Sequence, residues 1–146
     1  MIKLSIGVIA ALAVTGVFLT IVTAGLIATQ SIPSSGTIVG VNVGVYTNSQ
    51  CTQNCTTIDW GTLYPGDSTT RTIYVKNTGS VPVTLTMTTG GWVPTSASSV
   101  LTLTWNRQNT VLNAGQSISA TLTLTAASNA GSLSGFGFNI VVTGTQ

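Results

Sequence analysis

The chain has 146 residues, and its only charged side chains are four Lys or Arg and two Asp, with no Glu and no His. At 4% charged it lies far from the roughly 25% of a typical soluble domain, and 27 Thr and 15 Ser supply the polar surface instead. Without His there is no Ser-His-Asp, Cys-His or blue-copper chemistry, and a formal charge of +2 is too small and dispersed for nucleic-acid binding.

The first element is the apolar run Leu4–Ala28, preceded by Lys3 and free of charge throughout. It exceeds the roughly 20 residues needed to cross a bilayer as a helix. Three fates are open to it. Val22-Thr23-Ala24 satisfies the small-x-small rule of a signal peptide, with cleavage between Ala24 and Gly25. The same run could persist as a membrane anchor over residues 4–28 or, less well matched by Lys3-Leu4-Ser5, as the core helix of a type IV pilin. All three send the remainder outside the cytoplasm, to the cell surface or beyond. The expected organisation is therefore a signal or anchor helix over 1–30, a Pro/Ser/Gly linker over 31–36, and one β-domain over 37–146.

Thr37–Tyr46 alternates as a strand, with Ile38 and Val39 at its start and Val41, Val43 and Val45 expected on one face. Next comes Cys51-Thr-Gln-Asn-Cys55, two cysteines in an exported chain, where a short disulfide loop is the expected state. Asn54-Cys55-Thr56 is a glycosylation sequon by pattern. Two thiols alone make an incomplete metal-ligand set, so no metal or cofactor is expected. Thr57–Leu63 and Ser68–Asn77 read as strands around a Pro-Gly turn, and Val81–Thr88 follows with its aliphatic residues inward. Gly90–Ser99 is expected to be a long loop carrying Trp92 as a candidate surface-contact aromatic. Val100–Asn106, then Ile118–Thr125, then Phe136–Val142 complete the pattern. About seven short strands at 8–12-residue spacing, without helical period, indicate an all-β, Ig-like or jelly-roll antiparallel sandwich behind an N-terminal hydrophobic helix.

The only carboxylates, Asp59 and Asp67, sit in a strand and a turn, where partnering Arg71 or Lys76 and shaping the turn are the ordinary roles. No phosphate-binding glycine loop is present, and an enzyme is not expected.

Ile58-Asp-Trp-Gly61, Pro65-Gly66, the run Tyr74-Val-Lys-Asn-Thr-Gly-Ser-Val-Pro-Val-Thr-Leu85, Gly91-Trp-Val-Pro94, Leu103-Thr-Trp-Asn106 and Gly115-Gln116 together carry a family likeness. Over most of residues 36–144 the chain resembles small exported archaeal β-sandwich proteins, the TasA/camelysin group of matrix-fibre subunits and the archaeal bundling pili and threads. The resemblance implies a homopolymer assembled by donor-strand complementation, with the donor within Gly25–Tyr46 and Ile38, Val39, Val41, Val43 and Val45 as its candidate side chains. The alternative is a membrane-anchored monomeric surface domain that binds a glycan or protein partner through the Trp92 loop.

Overall fold

A computed structural model describes residues 34–146. The expected N-terminal helix, the candidate cleavage site at Ala24 and Gly25 and the start of the linker lie outside them. Among the described residues no helix is long and apolar enough to cross a membrane.

Alternating aliphatic and hydroxyl side chains can bury one face of a strand and wet the other, so two such sheets stack with their aliphatic faces together. Nine strands do this: β1 Ser34–Val41, β2 Gly44–Tyr46, β3 Thr57–Asp59, β4 Ser68–Lys76, β5 Val83–Val93, β6 Leu101–Trp105, β7 Val111–Leu112, β8 Ser117–Ala126 and β9 Phe136–Thr145. They form a five-stranded sheet in the order β3-β1-β9-β5-β7 and a four-stranded sheet in the order β2-β4-β8-β6. Every pairing is antiparallel except β1 with β9, which run parallel. The core between the sheets holds Ile38, Ile58, Trp60, Ile73, Val75, Leu85, Leu122, Leu124, Phe138, Ile140 and Val142, among others.

The strands with unbroken alternation lie where the pattern puts them. Ile73 and Val75 of β4, Ala120, Leu122 and Leu124 of β8, and Phe136, Phe138, Ile140 and Val142 of β9 are all buried. Four expectations need correction. Thr37–Tyr46 is two strands in different sheets. Ser34–Gly36, expected to be linker, is already strand. Val81 precedes β5 and is exposed. Val111–Leu112, which the sequence pattern leaves outside its strands, is the short β7 and pairs with β5.

The buried polar residue Asn77 ties one end of the sandwich together. Its Nδ2 donates to Val81 O at 2.8 Å and Leu112 O at 2.9 Å, while its Oδ1 accepts from Gly79 N at 2.9 Å. Its main chain bonds Gln116 and Gly115 as well. The Lys-Asn-Thr-Gly turn is therefore a joint between β4, β5 and the β7–β8 turn, with every polar atom of the amide engaged.

Candidate functional site

β1 is the element that most needs explanation. It lies between β3 and β9, bonded along both sides: Ser35, Gly36 and Thr37 face Asp59, Ile58 and Thr57, and Ser34 through Val41 face Phe136 through Thr143. Ile38 N–H additionally donates to Thr56 O at 3.0 Å. Its inner face carries Ser34, Gly36, Ile38 and Gly40, so Ile38 is the one large side chain β1 adds to the core. Gly36 sits close against the indole, since a Cβ there would lie a tight 3.3 Å from Trp60 Nε1. Burying one Ile is worth about 2–3 kcal/mol; the strand is otherwise held by its two main-chain ladders.

The donor face expected from the sequence changes phase within this segment. Ile38 is 2% exposed, but Val39 and Val41 point to solvent at 53% and 42%. Val43 and Val45 are buried again, past a bend into the opposite sheet. Asn42 makes that bend with a left-handed backbone, φ 60°, and its Nδ2 donates to Gly144 O at 3.2 Å. Gly40 packs against the Val43 carbonyl so closely that no Cβ fits. An added half-turn of backbone inverts side-chain alternation, which is why Val41 and Val43 do not share a face. Asn tolerates φ > 0 better than most residues, and this was the one signal of the bend in the sequence.

The segment Thr47–Cys55 folds back over the edge of β2. Cys55 N–H donates to Val45 O and Thr47 N–H to Gln53 O, both at 2.9 Å. Asn48 organises the turn, its Oδ1 accepting from Thr52 N and Gln53 N at 3.1 Å and its Nδ2 donating to Thr52 Oγ1 at 2.7 Å. Cys51 and Cys55, the expected disulfide partners, are free thiols in this structure. Cys51 Sγ lies 3.8 Å from Ser49 O, and Cys55 Sγ turns inward, 3.7 Å from Thr57 O. Burial pushes the Cys55 thiol above its ordinary pKa. Because the thiolate is the nucleophile, iodoacetamide at neutral pH should alkylate Cys51 first. Peptide mass spectrometry of a time course checks the order, and faster labelling of Cys55 would contradict this geometry. Asn54 is exposed, so its sequon is accessible.

Trp92 does not present itself on a loop. β5 continues through it to Val93, with an irregularity in register between Gly90 and Val93. Its ring stacks on Phe138 at 4.2 Å between centroids and 11° between planes. Trp60 and Phe136 flank Phe138 on further stacked contacts at 6.1 Å. The candidate surface aromatic is thus half-buried core, drawn in by the phenyl ring beside it. Arg71 does partner Asp59, but through the main chain: its Nε donates to Asp59 O at 2.7 Å, while the Asp59 carboxylate accepts from Gly61 N at 2.8 Å. Among the described residues no group of three or more His, Cys, Asp or Glu could hold a metal ion.

No protein-family model matches the chain, and no curated protein matches it.

Proposed function

We propose that the chain is a structural subunit of an extracellular filament, exported through its N-terminal apolar run and polymerised by exchange of β1 between neighbouring sandwiches. The observation that carries this reading is the seat of β1: an N-terminal strand bonded along both edges yet anchored by Ile38 alone. Such a strand exchanges the same contacts whichever copy supplies it, and the bend at Gly40–Asn42 is where the chain would straighten. Head-to-tail exchange of this kind does not close and so builds fibres. A sandwich with few charged side chains, on a surface of hydroxyls, also meets little electrostatic repulsion between copies. The parallel β1–β9 pairing supports the finer reading of the fold as Ig-like. In this reading the protein is not an enzyme. The exposed Asn54 is a candidate glycan site, and closure of Cys51 with Cys55 is proposed for the exported, oxidised protein.

A second reading, a monomeric surface domain held by residues 4–28, is supported by the same observation from the other side, since β1 completes its own sandwich. A cross-link separates the two. Thr37 and Asn139 are register partners, both facing outward. In the full chain carrying Thr37→Cys, Asn139→Cys, Cys51→Ser and Cys55→Ser, oxidation should give a covalent ladder on non-reducing gels. A single band of monomer mass, with the thiols consumed, would mean that β1 stays at home and would sink the filament reading.

A further inference from the structure

The four sheet edges are not equally protected. β3 has three residues and carries Asp59, β7 has two, and β2 is covered by the Thr47–Cys55 segment through the Tyr46–Asn54 bridge. β6 is different: among the described residues Leu101-Thr-Leu-Thr-Trp105 borders only β8 in its sheet, and it has no charge, proline or bulge along it. Such a strand is an open template for pairing, which folded proteins ordinarily block.

The direction of its free groups follows from the ladder. Asn106 N–H donates to Thr121 O at 3.3 Å and Ala127 N–H to Val100 O at 2.8 Å, so the even-numbered main chain turns toward β8. The N–H and C=O groups of Leu101, Leu103 and Trp105 therefore point off the edge. Among the described residues no turn or loop bond reaches them. Beside this edge Met87, Leu103, Thr104, Trp105 and Gln108 line a shallow groove toward β5.

We infer that β6 pairs antiparallel with β6 of a second copy, about a two-fold axis through Leu103. The choice of a second copy rests on self-complementarity. Centred on Leu103, the pairing sets Leu103 against its own equivalent and Leu101 against Trp105. These are the residues whose main-chain groups point off the edge, so all of them are met. It sets Thr102 opposite Thr104 on the outer face, both exposed, and hydroxyl and aliphatic–aromatic pairs of this kind stabilise sheets. No like charges meet, because the nearest cation, Arg107, is turned back with its Nε on Ser119 O at 2.7 Å. The result is one continuous eight-strand sheet across the two copies. A five-residue edge makes a weak contact on its own. Repeated along a fibre it would hold neighbouring filaments side by side, a role that rests on the filament reading, whereas the pairing itself does not.

The test uses the full chain in mild detergent with Cys51→Ser and Cys55→Ser, carrying either Thr102→Cys or Thr104→Cys. Both sites are exposed, so neither change disturbs the fold. Under oxidation the mixture of the two variants should yield a disulfide-linked dimer that neither variant gives alone, because position 102 faces 104 and not itself. Thr102→Lys/Thr104→Lys should abolish pairing, and mixing it with Thr102→Glu/Thr104→Glu should restore it. A mixture that stays uncross-linked overturns the proposal, whether the edge is bare or covered by the chain's own N-terminal residues; so does equal cross-linking in the single variants. A mixture-specific dimer without the Thr37–Asn139 ladder would uphold the β6 pair and reject only the filament.

Discussion

Replacing Ile38 with Asp should unfold the sandwich, whereas the same substitution at Val41, three residues on, should be nearly silent. Ile38 faces the core from between two bonded neighbours, and Ile140 lies beside it in register. Asp there forfeits about 2–3 kcal/mol of apolar burial. It also strands a carboxylate among aliphatic and aromatic side chains, at a further cost of several kcal/mol. The sum is comparable with the whole stability of an ordinary domain, about 5–15 kcal/mol. Val41 is on the solvent side and 42% exposed, so Asp costs there only about 1 kcal/mol. Val43, back inside beyond the bend, should behave like Ile38. Urea midpoints for the three variants measure this directly. Equal losses at Val41 and Val43 would restore a single uninterrupted strand and contradict the change of phase at Asn42. In an assembled fibre Ile38→Asp should also erase the cross-linked ladder, since the seat is the same in either copy.

The second large effect is expected at Asn77. Truncation to Ala removes the donors on Val81 O and Leu112 O and the acceptor for Gly79 N, the Leu112 bond being fully buried and the other two partly so. Unsatisfied buried groups cost about 1–3 kcal/mol each, and the shared relaxation of one turn makes a total of about 3–4 kcal/mol reasonable for the set. Asp, nearly identical in shape, should be no rescue. It keeps the acceptor for Gly79 but turns an ionised oxygen on two carbonyls. The folded state would then favour the protonated carboxyl, so the variant's deficit should shrink in acid and grow as pH rises through the carboxylate range. Chemical denaturation of Asn77→Ala and Asn77→Asp at acid and neutral pH checks this. An Asp variant as stable as the parent at neutral pH would mean that Asn77 is not the joint described.

The architecture was legible wherever alternation ran unbroken. In β8 and β9 the inward positions are apolar or Gly and the outward ones mostly Thr, Ser or Asn, and β4 keeps the pattern at Ile73 and Val75 beyond Thr69 and Arg71; two-residue periodicity there specifies both strand and face. What was not legible lay where a single residue changed the phase. Asn42 converts one apparent strand into β1 and β2 in different sheets, and nothing in the aliphatic pattern around it records the inversion. Trp92 looked like a loop residue because Gly90-Gly91 precedes it and Pro94 follows, yet stacking on Phe138 keeps it in β5; that contact joins residues 46 positions apart. Ser34 and Gly36 looked like linker because small residues carry no hydrophobic signal, although smallness is what lets β1 lie against Trp60. The openness of β6 depends on which strand ends up at a sheet's margin, a property of topology that no local stretch encodes.

The parallel course of β1 and β9 has a mechanical consequence. The N-terminal end of β1 lies beside the start of β9, and the chain leaves β9 at the opposite end. Tension applied between the two ends of the domain therefore slides the strands along each other, and the eight register pairs from Ser34–Phe136 to Val41–Thr143 take the load together. A ladder pulled in this geometry cannot open one rung at a time, as a hairpin peeled from its end does. Rupture under force is governed by the unfolding barrier and not by equilibrium stability. A domain of modest thermodynamic stability can thus be a strong link when stretched along this axis.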